Sequence, residues 1–400
     1  MRGKKILNFS IIAISFTVLM FAFVAVTPSV FAAHCTTTVT ASSSIRTAVD
    51  AASSGDVVCL DDSGGVFSQS VVFSGTAGSD DDSGITLAAV HGSSPILDGT
   101  VGSLVNAIEL RDGVSDITIQ DLEIRDYSNI AIDGDGTIGT PLSSIRLKSL
   151  DIHDIGFHAI DIIHSEDVVI TDSTIAKASG FDFTFDEAIR LQSVDGFVVK
   201  DVDVDGGFIG VNFACAPCPD PGGPSNGLVK DSIFANNFIG VLIAHSTDAH
   251  VKDNKITDAL FGIRIGFGGV TVTGAKIMQN ELTENIVGIF AAAAPGPTVD
   301  VFIKANSVFD NVSDGILLLD TDDSKIFDNV VTNNGGNGIG FLFGSTGNMI
   351  KGNTASGNPT GSGFTFISGT ADMFHDGSSS PNTWKKNTCG TSLGGDIDCP

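Results

Sequence analysis

The phrases Val251-Lys-Asp-Asn-Lys-Ile256, Ile277-Met-Gln-Asn-Glu-Leu282 and Ile303-Lys-Ala-Asn-Ser-Val308 repeat one six-residue pattern at steps of 26 residues. Each begins and ends on an apolar residue and carries Asn at its fourth position. Ten copies at steps of 22 to 30 residues, followed by a degenerate eleventh, begin at Ile119, Leu147, Ile170, Val199, Val229, Val251, Ile277, Ile303, Ile326, Ile350 and Trp384. A repeat of this length is typical of a solenoid.

A second short strand follows each phrase. In four later copies it begins at a glycine eleven residues after the phrase start: Gly210, Gly240, Gly262 and Gly288. In the earlier copies alanine takes this position: Ala131, Ala159 and Ala188. No copy has the length or the period of a helix, so each coil is predicted to consist of short strands separated by turns.

Strands this short bury an apolar face only when coils stack on one another. Stacking places equivalent residues about 4.8 Å apart, so each repeat position becomes a column. The Asn position would form a ladder of inward-facing amides that bond to one another: Asn254, Asn280, Asn306, Asn329, Asn353 and Asn387. A leucine-rich repeat requires a Leu-dense consensus, and a sandwich does not explain the Asn column. The pattern therefore predicts an all-β parallel β-helix.

Both ends of such a stack need caps, because an open β-helix exposes apolar coil edges. Residues 44–52 have the pattern of a short amphipathic helix, and residues 55–60 that of a first strand. Trp384 and the loop between Cys389 and Cys399 would close the other end. We expect a signal peptide (1–33), an N-terminal cap with the first coils (34–112), the β-helix repeats (113–370) and a C-terminal cap (371–400).

The first 33 residues have the order of a secretory signal. Arg2, Lys4 and Lys5 precede an apolar run over residues 11–26, and small residues follow, with a cleavage position near Ala32. An uncleaved anchor helix is the alternative, although the run is short for one. The sequence predicts a protein that is secreted or held at the cell surface or in the periplasm, with no membrane span after removal of the signal.

The chain is strongly acidic. Its 400 residues include 47 acidic and 21 basic ones, a net charge of −26. Removal of the signal would leave 18 bases against the same 47 acids, a net charge of −29. Such a surface repels polyanions, so no nucleic-acid partner is expected. An apolar content of 42% argues against intrinsic disorder.

Six cysteines in an exported chain predict disulfides. Their spacing favours three local bridges: Cys35–Cys59, Cys215–Cys218 and Cys389–Cys399. The Cys215-Ala-Pro-Cys218 stretch could instead be a redox or metal-binding pair, but neither a helix start nor two further close ligands accompanies it. The position of Cys35 near the cleavage point leaves lipid attachment as an alternative.

The chain also resembles a known family. Residues 45–60, Gly84-Ile-Thr-Leu87, Pro95-Ile-Leu-Asp-Gly99 and Gly113-Val-Ser-Asp-Ile-Thr-Ile119 resemble the right-handed parallel β-helix proteins of the pectin-lyase-like superfamily. The resemblance covers nearly all of residues 35–390 and implies a right-handed parallel β-helix with a short N-terminal capping helix. The family includes polysaccharide lyases, glycoside hydrolases, uronate epimerases, phage tailspikes and adhesins. A shared fold does not select among these activities.

The densest group of chemically active side chains lies in three consecutive coils. Alignment of the repeats places Asp133, Asp161, Arg190 and Asn212 in one outward column, and His158 and Glu187 in another. Six such groups would span roughly 15 Å of one sheet, and the insertion at residues 180–185 would wall one side of the groove. A uronate lyase or epimerase needs a base for the proton beside the carboxyl group and a cation for the developing charge.

We assign His158, Asp161, Glu187 and Arg190 as candidate catalytic residues, and Asn212 and Lys148 as candidate substrate-binding residues. The alternative is an ordinary polar outer face with an Asp161–Arg190 salt pair. The Trp-Asp-His phrase of pectate lyases, the Asp-Pro-His-Asp phrase of mannuronan epimerases and the multiple-Asp pattern of pectin-cleaving hydrolases are missing, so the resemblance supplies no catalytic motif.

Acidic turns suggest calcium, which prefers oxygen ligands. We assign Asp133 and Asp135 as the candidate calcium ligands; solvated turns are the alternative. A column of Lys that includes Lys148 lies beside a column of Asp, and mutual compensation of exposed charges explains it better than a glycan-binding stripe.

Three functions are compatible with these features. The first is an exported β-helix that binds, and cleaves or modifies, an extracellular uronate-containing polysaccharide or cell-surface glycan. The second is a non-catalytic surface or adhesive module, which the regular coils favour. The third is metal delivery, against which scarce Met and unclustered His argue.

Overall fold

Three short strands per coil, separated by tight turns, build the part of the chain that begins at His34. The computed structural model describes residues 34–75, 81–177, 186–213, 225–244, 246–267, 272–292, 298–358 and 371–399. The proposed signal (1–33), the insertion at 180–185 and the Cys215–Cys218 pair lie outside these residues. Successive coils pair in parallel, and the strands form three sheets that run along the stack. The predicted right-handed parallel β-helix is confirmed.

The first sheet contains the strands that begin each repeat phrase: Thr37–Thr40, Val57–Asp61, Thr86–Ala89, Thr118–Gln120, Leu142–Lys148, Ser225–Lys230, His250–Lys252, Lys276–Met278, Phe302–Lys304, Lys325–Phe327, Met349–Lys351 and Thr383–Lys385. The second sheet contains those that end the phrase: Ile96–Asp98, Glu123–Arg125, Asp151–His153, Ile233–Ala235, Lys255–Thr257, Glu281–Thr283, Ser307–Phe309, Val330–Thr332, Thr354–Ser356 and Thr388–Cys389.

The third sheet contains the strands that follow the Gly or Ala position: Val71–Ser74, Ile108–Arg111, Ile132–Asp135, Ile209–Asn212, Ile239–Ile243, Phe261–Ile265, Val287–Ala292, Ile316–Leu319, Ile339–Leu342, Met373–His375 and Ser392–Leu393. Two long strands, Ile160–Ala176 and Glu187–Asp205, continue around the bends through all three sheets. A small separate pair joins Thr298–Val299 to Thr321–Asp322.

The repeat phrases stack in the register that the sequence predicts. Leu147 lies between Ile119 and Ile170, and the same column continues unbroken to the pair Ile350–Trp384. The apolar residues that end each phrase form a second inward column, which continues as far as Ala355 and Cys389. These columns are buried and form one core along the axis of the stack.

The predicted asparagine ladder runs through the core. The amide of Asn306 donates to Asn329 Oδ1 at 2.9 Å and to the carbonyl of Ile277 at 2.9 Å. Its own oxygen accepts from the backbone N–H and the amide of Asn280, at 2.9 and 3.0 Å. Every polar atom of the buried rung is therefore bonded. Two earlier coils carry Ser at this position, Ser173 and Ser232. Ser232 Oγ accepts from the N–H of Val202 at 3.1 Å.

A second buried ladder, which we did not predict, lies at the next turn of each coil. It contains Asn285, Asn311, Asn334 and Asn358. Its last amide donates to the carboxylate of Asp372 at 3.0 Å. Asp372 is thus the last residue of this ladder. The last residue only has to accept a hydrogen bond from the preceding asparagine, and a carboxylate can do so.

The glycine column marks a close approach between coils. A Cβ added to Gly288 would lie 2.7 Å from the carbonyl oxygen of Gly315 and 2.5 Å from Val308 Cγ1. A Cβ on Gly262 would lie 2.7 Å from the oxygen of Gly288. The third sheet therefore packs tightly over the second in these coils, and only glycine fits.

The exposed Asp column beside the Lys column has a conformational role as well as a charge role. Asp201 and Asp253 have φ values of 53° and 56°, in the left-handed region, which Asp and Asn tolerate better than most residues. The predicted charge compensation is also present: Lys200 lies 2.8 Å from Asp201, and Lys252 lies 3.0 Å from Asp253.

The predicted short helix lies near the N-terminal end of the stack. The helix Ile45–Asp50 begins after Ser44, whose side chain accepts from the N–H of Thr47 at 3.1 Å, and it buries Ile45 and Val49. At the other end Trp384 packs edge-on against Phe341 at 5.6 Å between ring centroids. The disulfides Cys35–Cys59 and Cys389–Cys399 are formed, one at each end of the stack. In the described ranges, no helix is long and apolar enough to cross a membrane.

Candidate functional site

The candidate residues stack on the outer face of the third sheet. Asp161 lies between Asp133 and Arg190, and Arg190 pairs with Asn212 in the next coil. The predicted column is therefore confirmed. His158 and Glu187 also come together, because the N–H of Glu187 donates to His158 Nδ1 at 3.1 Å. We refer to His158, Asp161, Glu187, Arg190 and Asn212 as the polar cluster.

The polar cluster is far more buried than an open sheet face. His158 is fully buried, and Asp161, Glu187 and Asn212 are 2%, 6% and 7% exposed. The Arg190 side chain is the most accessible, at 27%. The expectation of an exposed groove was wrong for these coils. Outward residues in the following coils form an apolar cluster of their own, so this face of the sheet is a second buried surface.

Asp161 and Arg190 form the salt pair that we weighed as the alternative. Arg190 Nε donates to Asp161 Oδ1 at 2.7 Å, and Nη2 donates to Oδ2, so both oxygens are engaged. Burial raises the pKa of Asp161, and the hydrogen bond and charge of Arg190 offset only part of this effect. These two hydrogen bonds hold the guanidinium in position. Its Nε lies 3.7 Å from Oε2 of Glu187, so its positive charge also acts on that carboxyl group.

Glu187 is a buried carboxyl group whose two oxygens differ in their contacts. Its Oε1 accepts from the amide of Asn212 at 2.6 Å, whereas its buried Oε2 has no hydrogen-bond partner in the part of the chain that the structure describes. Burial raises the pKa of this carboxyl group to about 7, although the hydrogen bond from Asn212 and the charge of Arg190 act in the opposite direction. A carboxyl group with this pKa is partly ionised near neutral pH.

His158 is a hydrogen-bond donor, not a base. Because Nδ1 accepts the N–H of Glu187, the proton of the neutral ring resides on Nε2. Burial first, and then the charges of Arg190 and Lys177, lower the pKa of His158 to about 3. Among the described residues Nε2 has no hydrogen-bond partner, and the ring is fully buried.

Lys177 belongs to the same region, and we did not predict it. Its buried Nζ donates to the carbonyls of Ile155, at 3.0 Å, and Phe157, and it lies 3.5 Å from Asp186 Oδ2. Burial lowers the pKa of this lysine, although Asp186 opposes the shift. Lys177 fits no repeat column, so only its place just before the insertion distinguishes it in the sequence.

Two other predicted site residues, Lys148 and Asp133, do not have the environment that their predicted roles need. Lys148 lies apart from the polar cluster, and Asp133 is already hydrogen-bonded. Lys148 is on the first sheet, in the column of Gln120 and Thr171, so the structure does not bring it to Asn212. Asp133 Oδ2 accepts from Asn106 at 3.0 Å and from Arg111, which leaves exposed Asp135 as the open oxygen donor of the proposed calcium pair.

One further group has metal-ligand chemistry. Glu123, Asp151 and His153 on the second sheet offer ligand atoms within 4.8 Å of one another. His153 already bonds Asp154 at 2.8 Å and Glu123 at 3.3 Å through its two nitrogens, and Arg125 also lies 3.2 Å from Glu123. Mutual ion pairing accounts for this group.

Beyond the polar cluster, the outer column of the third sheet becomes apolar. Asn212 is followed by Leu242, then Arg264, then Phe290. Phe208 and Phe238 stack at the adjacent turn, with ring centroids 4.6 Å apart. Further along the axis a cavity of about 350 Å³ is lined by Ala292, Leu319, Asp320 and Phe343.

Comparisons with known proteins agree with this architecture. Residues 106–300 and 222–379 match the family described as a right handed beta helix region. The family 28 exopolygalacturonase of Yersinia enterocolitica superposes with a TM-score of 0.53 at 12% identity, over 88% of this chain and 77% of that one. A periplasmic alginate epimerase gives 0.50 at 12% identity, over 84% and 77% of the two chains.

The tailspike protein 3 of bacteriophage CBA120 gives a TM-score of 0.50 at 12% identity, over 86% of this chain and 52% of that one. Identities this low indicate a common fold and nothing finer. No curated protein sequence matches the chain.

Proposed function

Because the chain belongs to the right-handed β-helix family, we propose that it binds an extracellular uronate-containing polysaccharide beside its third sheet, where the Arg190 side chain is 27% exposed, and modifies it at the polar cluster. The observation that carries this proposal is the environment of Glu187: a carboxyl group with a pKa of about 7, one oxygen of which has no hydrogen-bond partner among the described residues. The similarity to structures of an alginate epimerase and an exopolygalacturonase supports the choice of a uronate polymer.

Proton abstraction is the chemistry that this cluster suits. Ionised Glu187 would remove the proton from the carbon beside the uronate carboxyl group, and the electron pair would pass into that carboxyl group as an enediolate. Delivery of a proton from water to the opposite face gives the epimer, and Glu187 then returns the proton that it took to water. Departure of the glycosidic oxygen on the neighbouring carbon, with uptake of a proton, instead cleaves the chain and leaves a carbon–carbon double bond.

The neighbouring groups would stabilise the enediolate. His158 Nε2–H is a neutral donor that costs no proton transfer, and Arg190 supplies a fixed positive charge. Preorganised donors in a water-poor site are worth more than the same groups in water. Calcium, held through Asp135 together with the substrate carboxylate, is our proposed additional cation, and it would also bridge an acidic polymer to an acidic protein.

Export is part of the proposal. It rests on the signal-like residues 1–33 and on the two disulfides, since disulfides persist in oxidising compartments. The expected location is the cell surface, the periplasm or the medium.

A non-catalytic surface module is the second candidate. The observation in its favour is the near-complete burial of His158, Asp161 and Glu187, together with the engagement of both Asp161 oxygens by Arg190. In that case the polar cluster would stabilise the stack, and binding would use other surfaces.

Incubation with polygalacturonate and with alginate, with and without calcium, separates the two candidates. Double-bond formation is followed by ultraviolet absorbance and epimerisation by proton NMR. Glu187→Gln keeps the shape and removes the base, so we expect turnover to fall at least about a hundredfold. Glu166→Gln makes the same change at an exposed position and serves as the control. No product on any uronate polymer, or equal turnover by Glu187→Gln, would leave the structural role.

A further inference from the structure

Arg264 differs from the other half-buried arginines of the protein. Four arginines are ion-paired: Arg46 with Asp50 and Asp82, Arg111 with Glu109 and Asp133, Arg125 with Asp98 and Glu123, and Arg190 with Asp161. Arg146 is exposed. Arg264 is half-buried, yet among the described residues it has no carboxylate partner; its Nε donates to the carbonyl of Gly266 at 3.3 Å.

Aromatic rings surround this guanidinium. Its carbon lies 5.0 Å from the ring centroid of Phe261, 4.9 Å from that of Phe267 and 5.3 Å from that of Phe290. Ring faces attract a cation, but they accept none of the directional hydrogen bonds that its N–H groups can form. The Nη donors therefore have no protein acceptor in the described ranges, and burial, uncompensated by any acid, lowers the pKa of Arg264.

The position of Arg264 relates it to the polar cluster. Arg190, Asn212, Leu242 and Arg264 are successive rungs of one outer column. Three rungs correspond to about 14 Å, a separation that an extended oligosaccharide can bridge along the axis of the stack. The nearby cavity is unsuited to an anion because Asp320 lines it.

We propose that Arg264 is an anion-binding subsite for the polysaccharide: its Nη groups bind the carboxylate of a sugar unit about three coils from Glu187, and the rings of Phe267 and Phe290 pack against the apolar face of that sugar. The substrate class rests on the proposed function, and the inference adds the place where the charge of the substrate is read. Phe267 is 38% exposed, so a ligand can reach this position.

An unpaired cation explains how so acidic a chain can hold a polyanion. With 47 acidic residues and 21 basic ones, the protein repels a uronate polymer at long range. A guanidinium without an acid beside it offers a local attraction that no protein carboxylate has already neutralised. A charge-assisted hydrogen bond to a carboxylate is typically worth about 1.5–3 kcal/mol, and aromatic packing adds to it.

Isothermal titration with oligogalacturonate and with its uncharged methyl ester tests the subsite. We expect Arg264→Gln to weaken binding of the acid about ten- to hundredfold and to leave binding of the ester nearly unchanged. Arg146→Gln removes the same charge at an exposed site on the first sheet and should weaken binding of the acid less than about twofold. Phe267→Ala should weaken binding of both ligands.

The outcomes separate this inference from the proposed function. Arg264-dependent binding without product would overturn catalysis and support the subsite. Product formation with equal binding by Arg264→Gln and the wild-type protein would overturn the subsite alone. No binding of either ligand by the wild-type protein would overturn both. If Arg264→Gln does not fold, the comparison within the wild-type protein decides: equal affinity for acid and ester refutes an anion subsite, and a preference for the acid that Arg264→Lys reduces supports it.

Discussion

Replacement of Asn353 by Ala removes the rung before the last in the first asparagine ladder. The side chain donates to the carbonyl of Ile326 at 2.7 Å and to Asn387 Oδ1 at 3.1 Å. It accepts from the N–H and the amide of Asn329, both at 2.9 Å. Four hydrogen bonds are lost, and their buried partners are left without water. At roughly 1 kcal/mol for each bond, we expect the free energy of unfolding to fall by about 4 kcal/mol.

Two companion variants calibrate this value. Thr354→Ala changes the next residue, which is exposed, and should alter stability by less than about 0.5 kcal/mol. Asn353→Ser keeps an acceptor of the kind that Ser232 provides in an earlier coil, so roughly half of the loss should be recovered. Guanidinium unfolding at equilibrium, followed by circular dichroism, measures all three. A loss for Asn353→Ala no larger than that for Thr354→Ala would refute the view that the ladder stabilises the stack.

Three further outcomes are expected. Gly288→Ala should lower stability by about 1–3 kcal/mol because the new methyl group meets a backbone oxygen, whereas Gly139→Ala, which meets nothing within 4 Å, should be nearly neutral in thermal melts. Glu187 binds its proton more tightly in the folded protein, where its pKa is about 7 instead of the ordinary 4.5, so the stability of the wild-type protein should fall as the pH rises from 4.5 to 7. Across that window the free energy of unfolding of Glu187→Gln should rise by about 3 kcal/mol relative to that of the wild-type protein. A difference between the two proteins that does not change with pH would contradict the raised pKa. Reduction of Cys35–Cys59, which spans 24 residues, should destabilise the protein by about 3 kcal/mol; an unchanged denaturation midpoint of a Cys35→Ser, Cys59→Ser double variant would disagree.

The fold was predictable because the repeat fixes the register. Each phrase start stacks on the next, even where Trp384 replaces an aliphatic residue, and the Asn column follows from the same alignment. The repeat also indicates the second ladder, because three of its asparagines lie five residues after an asparagine of the first ladder: Asn285, Asn311 and Asn334. We missed it because these residues fall in turns, where Asn is common for conformational reasons alone.

The candidate site was predictable only in part. Register placed Asp161 beside Arg190 and Glu187 beside His158, because columns depend on periodicity. The burial of these residues does not depend on periodicity, because an alternating pattern shows which face of the sheet a residue occupies but not what covers that face. The role of His158 as a donor depends on a backbone N–H of the next coil, and Lys177 reaches the region from outside the repeat. Neither relation leaves a periodic mark in the sequence.

The bonds between asparagine side chains in the ladders have one direction: each amide donates to the asparagine of the following coil and accepts from the asparagine of the preceding coil. Any coil that carries Asn at this position therefore offers a side-chain acceptor to the preceding coil and a side-chain donor to the following coil. Duplication or loss of a whole coil can therefore lengthen or shorten the protein without leaving an asparagine amide unpaired, provided that the first and last coils are kept. The distance between features on the outer face is then an evolutionary variable, adjustable in increments of one strand spacing.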